Sequence, residues 1–226
     1  GLGFAVPIND AKRSIDDMIT KGTVDYGWLG VTVTGMTDAL AEEMNIDSQE
    51  GAFIHNIYID SPAAEGGLKP GDFVTSIDGE PVEDRDELVR IVGNLKAGEN
   101  VDFTVIRYGE EKNLTVEIGK RKDEETIREQ QNKLWPGMIV VPLEERIRQQ
   151  LQLDSSLSGV VVANLQKKSK PYISGLRPSD VITEINGRDI ESMLDFYRAV
   201  NDESTDKYEI GFIRDGSTFF VGIRKE

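Results

Sequence analysis

The sequence matches itself at a shift of 107 or 108 residues. Trp28-Leu29-Gly30-Val31 returns as Trp135-Pro136-Gly137-Met138, and Gly51-Ala52-Phe53-Ile54 as Gly159-Val160-Val161-Val162. Gly67-Leu68-Lys69-Pro70-Gly71-Asp72 returns as Gly175-Leu176-Arg177-Pro178-Ser179-Asp180, Ile77-Asp78-Gly79 as Ile185-Asn186-Gly187, and Ile106-Arg107-Tyr108-Gly109 as Ile213-Arg214-Asp215-Gly216. So long a period means two copies of a domain, not a stack of short units. In a chain of 226 residues each copy has about 100 residues to fold with.

The two copies also read alike element by element. A strand follows each tryptophan, at Val31 and Val33 and again at residues 139–141, and a short helix follows it, at 38–44 and 144–151. Strands are expected at 52–59 and 160–165, and after a Gly/Pro turn at 73–77 and 181–185. A second helix comes next, capped by Asp84 with Glu87 three residues on, and in the second copy by Ser192. Two strands joined by a hairpin close each copy, the second through Asp215-Gly216, a strong two-residue turn signal. Mostly short strands with two helices per copy predict an α+β, mainly β fold, two small partly open barrels or sandwiches. Residues 122–133 are a charged stretch without Gly or Pro, either a short helix or an extended linker.

On the second helix of the first copy, Leu88, Ile91 and Leu95 share one face and are expected in the core. Arg85, Val89 and Val92 form a neighbouring stripe that either lines a groove or widens the core face. At the front, residues 9–21 carry apolar residues at helical spacing. Gly1 opens inside an apolar strand-like segment, so the chain is expected to be a piece of a longer protein.

Composition removes several classes of function. With 41 acidic and 26 basic residues the net charge is −15. A nucleic acid or an anionic membrane surface is therefore not expected as partner of the chain as a whole. No run approaches the roughly 18 apolar residues of a membrane span. The absence of cysteine excludes disulfides, thiolate metal sites and cysteine catalysis. The one histidine, His55, alternates with Phe53, Ile57 and Ile59, as a strand residue at a core edge or groove rim would, and no Gly-x-Ser-x-Gly turn accompanies it. Asn45-x-Asp47-x-Gln49 lacks the glycine and final glutamate of a calcium loop. The 66–72 turn has Asp72 where a phosphate loop needs lysine. No catalytic group, metal or cofactor is expected.

Recognition is better supported. Gly27 and the Trp28–Val31 turn can aim consecutive amides at one anion, beside a strand edge able to pair with an extended peptide. The alternative is that Gly30 only makes a tight turn, and the pattern leaves both open.

The Trp28-Leu29-Gly30-Val31 loop, Gly67–Asp72 and Ile77-Asp78-Gly79-Glu80-Pro81-Val82 resemble the bacterial type of PDZ domain, most closely those that follow the protease domain in the HtrA/Do (DegP-like) family of envelope serine proteases. Gly1-Leu2-Gly3-Phe4-Ala5-Val6-Pro7-Ile8 resembles the last strand of that family's trypsin-like domain and residues 9–21 its terminal helix. Gly1-Leu2-Gly3-Phe4 also spells the carboxylate loop of animal PDZ domains, but the sequence after it does not follow. The resemblance implies a protease remnant and linker at 1–24, PDZ domains at 25–121 and 135–226, and a charged linker at 122–134. It implies a parent serine endopeptidase of the periplasm or cell envelope whose catalytic segments lie upstream of this chain, so that the chain itself is not an enzyme. Implied partners are C-termini or extended segments of unfolded or misfolded proteins, together with the protease domain and neighbouring subunits of the oligomer. An assembly role, with the grooves filled by neighbouring subunits, is the alternative.

Carried over residue by residue, the loop and groove strand are Trp28, Leu29, Gly30, Val31, Thr32 and Val33, and the helix presents Arg85, Val89 and Val92. The second-copy equivalents are Trp135, Gly137, Met138, Ile139, Met193, Tyr197 and Val200. Pro136 replaces Leu29 and removes one loop amide, so the first copy is expected to be the main reader of chain ends. That copy is also the acidic one: residues 25–121 hold 20 acidic and 8 basic residues, against 14 and 12 in 135–226. From this a preference for ligands with basic residues upstream of an apolar end is expected.

Overall fold

The computed structural model describes residues 22–47 and 50–225, together with Ile15, Met18 and Ile19. The strand expected over 1–8 and most of the helix expected over 9–21 lie outside the described residues.

In the first copy a short strand β1 (Gly27–Trp28) leads to β2 (Val31–Thr34), α1 (Asp38–Met44), β3 (Ala52–Tyr58) and α2 (Pro62–Glu65). Then come β4 (Phe73–Ile77), β5 (Glu80–Pro81), α3 (Arg85–Asn94), the hairpin β6 (Asn100–Arg107) and β7 (Glu110–Glu117), and β8 (Gly119–Lys120). The charged stretch is helical, with α4 (Glu124–Glu129) and a 3-10 turn (Gln130–Lys133). The second copy runs β9 (Leu134–Trp135), β10 (Met138–Pro142), α5 (Glu145–Gln150), β11 (Val160–Leu165), α6 (Lys170–Ile173), β12 (Val181–Ile185), β13 (Arg188–Asp189), α7 (Met193–Val200), β14 (Lys207–Arg214) and β15 (Ser217–Arg224).

Each copy is an open antiparallel sheet, and among the described residues no barrel closes. The orders are β2-β3-β4-β6-β7 and β10-β11-β12-β14-β15, with β5 beside β4 and β13 beside β12. β2 and β10 therefore stand at sheet edges. Turn chemistry explains the repeated glycines. Asp78-Gly79 and Asn186-Gly187, like Tyr108-Gly109 and Asp215-Gly216, are pairs with positive φ, which suits two-residue hairpins. At the start of α3, Glu87 N donates to Asp84 Oδ1 at 2.8 Å and the Glu87 carboxylate accepts from Glu83 N at 2.8 Å. This is a capping box with its return bond one residue early.

The repeated Asp and Arg find each other. Arg107 donates Nε to Asp72 Oδ1 at 2.6 Å, one Nη to Oδ2 at 2.7 Å and the same Nη to Gly67 O at 2.7 Å. Arg214 repeats the set on Asp180 and Gly175 O at 2.6, 2.6 and 2.9 Å. Each carboxylate also accepts an amide of its own turn, Lys69 N at 2.8 Å or Arg177 N at 2.7 Å. The Gly-Leu-x-Pro turn is thus clamped to the closing hairpin in both copies.

The copies do not keep separate cores. Leu40, Met44, Ile46, Phe53 and Phe73 of the first belong to the same buried cluster as the core of the second. The remainder of the first copy packs in its own cluster around Val74, Leu88, Val101 and Phe103. β9 extends the first sheet by pairing with β3, Ile57 opposite Trp135 and Tyr58 opposite Leu134. Around this contact Asn201 Nδ2 donates to Pro70 O at 2.7 Å, and Lys69 pairs with Glu203 at 2.6 Å.

Gly71 marks how close the approach is. It has φ +91, and a Cβ there would lie 2.8 Å from Cβ and Cγ of Tyr197. Its counterpart Ser179 holds a similar φ of +73 but is exposed. The second copy therefore tolerates a side chain where the first cannot. Gly71→Ser is expected to destabilise the docked pair by about 1–3 kcal/mol, read as a lower thermal midpoint. An unchanged midpoint would show that the contact yields freely.

Candidate peptide-binding groove

Between the edge strand β2 and helix α3 lies an open cavity of about 510 Å³. Leu29, Gly30 and Val31 close one end, Thr32 and Val33 form one wall, and Leu88, Val89 and Val92 line the other. Val89 is 53% exposed, an apolar side chain offered to the groove, whereas Leu88 and Val92 are buried beneath it. One placement differs from the sequence expectation. Arg85 is not among the lining residues and instead pairs with Asp86 at 3.4 Å on the exposed side of the helix. Leu88, expected in the core, is buried there and also forms the groove floor. At 100° per residue Leu88 and Val92 lie nearly in line, so the lining face is centred between the two expected stripes.

Gly30 shapes the loop. Its φ is +82, and a Cβ would meet Ser61 Cβ at 2.3 Å. Ser61 is the N-cap of α2 and is fully buried. The neighbouring carbonyls are engaged, Leu29 O by Ala63 N and Gly30 O by Tyr58 N, both at 2.9 Å. The second-copy loop has the same shape, with Gly137 at φ +79 over Ser169, the N-cap of α6. There the amides of Gly137 and Met138 converge on one oxygen, Asn56 Oδ1, at 2.8 and 3.0 Å.

Arg90, Arg121 and Ile127 also line the groove, residues that sequence reasoning missed; Ile127 and Arg121 come from or adjoin the charged stretch, and no carboxylate side chain is in the lining. Lys122 Nζ stands 5.4 Å from the centre of the Trp28 ring. Of the lining cations, Arg90 is paired with Glu87 at 3.0 Å.

The second groove is not open. Trp135, Met138, Met193, Tyr197 and Val200 are buried, and Ile139 is half-buried. α1 of the first copy packs on both β10 and α7, the two walls, and Glu43 Oε2 accepts Met193 N at 2.8 Å. Trp135 donates Nε1 to Val200 O at 2.9 Å. The expected surface groove is thus a buried contact between copies. Tyr197 reaches His55, with Nδ1 to OH at 3.0 Å. His55 is buried in this contact. Among the described residues no cluster of metal-ligating side chains occurs.

Models of the PDZ domain match residues 27–118 and 143–210. The chain belongs to the PDZ domain family. Both PDZ copies are homologous to probable periplasmic serine endoproteases of the DegP-like type, at 32% identity over 99% of this chain and 48% of the protein from Marinomonas sp.. The corresponding protein of Pseudomonas fluorescens is 34% identical over 87% of this chain and 42% of its own length. The chain thus spans less than half the length of these curated relatives. Among solved structures, an HtrA-type protease AlgW with decapeptide is 36% identical, with a TM-score of 0.48, over 54% of this chain and 38% of that one.

Proposed function

We propose that this chain is the peptide-reading part of an HtrA/Do-like serine endoprotease of the cell envelope. Its first PDZ domain, over 25–121, captures C-terminal or extended segments of unfolded proteins, while catalysis belongs to the rest of the protease. The observation that carries this reading is the open groove between β2 and α3, with an edge strand on one wall and the Gly30 loop at its end. An extended segment would add to β2. Its terminal carboxylate would accept the amides of Leu29, Gly30 and Val31, and an apolar last side chain would rest on Leu88, Val89 and Val92. Arg121 favours the negative end, while the charge of Arg90 is already shared with Glu87 at 3.0 Å.

A short peptide ending in valine, titrated as free acid and as C-terminal amide, tests this reading. The amide is expected to bind more weakly by about 1.5–3 kcal/mol, the value of charge-assisted hydrogen bonds. Gly30→Val should abolish the difference. Equal affinity of acid and amide for the parent chain would overturn the carboxylate reading.

A further inference from the structure

We infer that the second PDZ loop is closed by a ligand from within the chain, the side-chain carbonyl of Asn56, which takes the place of a peptide carboxylate. The inference rests on the reading of these loops as anion sites. Asn56 lies on β3, is 2% exposed and belongs to the first copy. Two consecutive loop amides, Gly137 N and Met138 N, point at its Oδ1. Two N–H donors cannot face an NH₂ group, so the carbonyl side of the amide must point to them. Its Nδ2 in turn donates to Thr32 Oγ1 at 2.9 Å, which fixes that orientation.

The apolar last side chain of a bound peptide has an internal substitute as well. Leu40 and Met44 of α1 are buried in the same cluster as Met138, Met193 and Tyr197. β9, directly before the loop, is held to β3 beside Asn56. Pro136 leaves the loop with two of the three amides of the first copy, and Asn56 uses both. A neutral carbonyl accepts more weakly than a carboxylate, so the internal ligand closes the loop without the strength of a charged one.

Two substitutions in the whole chain test this. If the loop is an anion site, Asn56→Asp places a carboxylate where the amides favour one. At neutral pH the folding equilibrium should stay within about threefold of the parent, because charge-assisted bonds offset the cost of burial. The Gly137 and Met138 amides should remain protected from hydrogen exchange. Asn56→Leu, similar in size, should lower the folding equilibrium about tenfold or more by stranding both donors and should release those amides to exchange. If Asn56→Asp is as damaging as Asn56→Leu, the loop has no preference for an anion and the inference fails. Should Asn56→Leu not fold, Asn56→Asp against the parent still decides, since an uncompensated buried carboxylate would be severely destabilising.

The same valine-ended free acid, titrated into the parent chain, should bind one equivalent. Two equivalents would show the second loop open and overturn the inference. If none binds, the reading of the first groove is what fails, and the Asn56 comparison still decides this one.

Discussion

Arg107→Met is expected to lower the stability of the chain by about 3–5 kcal/mol at neutral pH, the cost of leaving a buried partner charge alone. Asp72 is fully buried and Arg107 nearly so, with side-chain exposures of 0% and 11%. Burial raises the Asp72 carboxyl above its ordinary value even against the Arg107 guanidinium. Two parallel bonds plus the bond to Gly67 O fix the geometry of the pair. Removing the guanidinium strands the carboxylate and unclamps the turn from the β6–β7 hairpin. Adding Asp72→Leu to Arg107→Met should recover part of the loss, because the solitary charge goes with it while Lys69 N and Gly67 O stay without their partners. Arg214→Met should cost less, since Arg214 is 22% exposed and water can reach what remains. Denaturant unfolding followed by tryptophan fluorescence measures this. Phe53 and Phe73 sit in the cluster shared with the second copy, so Trp135 should report the loss in the first copy together with Trp28. A single-substitution cost below about 1 kcal/mol would show that the pair is no more than a surface-like bridge.

The same pair shows what the sequence makes legible and what it hides. Asp72 and Asp180, Arg107 and Arg214 all stand inside the repeated segments, yet they are 35 and 34 residues apart, and repetition names residues without pairing them. Local structure was far easier to read. Alternation, caps and Gly turns give α1 at Asp38–Met44 and the strands at Phe73–Ile77, Val160–Leu165 and Val181–Ile185 with the bounds observed. The four-residue helices α2 and α6 are too short to leave a period.

The contact between copies was not legible for a physical reason. Apolar spacing tells which face of an element is covered but not by what. Met193, Tyr197 and Val200 read equally as a groove lining and as a buried face, and so do Leu40 and Met44 on α1. The repeat itself favours the wrong choice, since it invites the second copy to be read as the first. Two small departures at the interface distinguish the copies, Gly71 against Ser179 and Pro136 against Leu29, whereas Asn56 is matched by Asn164 and differs only in being buried beneath a loop.

His55 converts this contact into an expected dependence on acid. Burial lowers its pKa from 6.5 to about 4. The ring lies edge-on to Phe53 at 5.1 Å and bonds to the Tyr197 hydroxyl. The folded chain therefore keeps the imidazole neutral at pH values where the unfolded chain has already taken a proton. Above pH 6.5 both states are neutral and the group makes no pH-dependent contribution. As pH falls from 6.5 to about 4, the unfolded state gains the proton first, and stability declines by up to about 1.4 kcal/mol per unit, about 3 kcal/mol in all. Below that range the loss levels off. The carboxylates of an acidic chain add slopes of their own, so the test is a difference. His55→Gln should shrink the gap in unfolding free energy between pH 7 and pH 4.5 by about 2–3 kcal/mol relative to the parent. Because His55 adjoins Asn56 and holds Tyr197 of the second groove wall, its protonation should also speed exchange at Gly137 and Met138 beyond the intrinsic pH effect, and less so in His55→Gln. Identical acid sensitivity in the two proteins would place the buried histidine outside any role in holding the copies together.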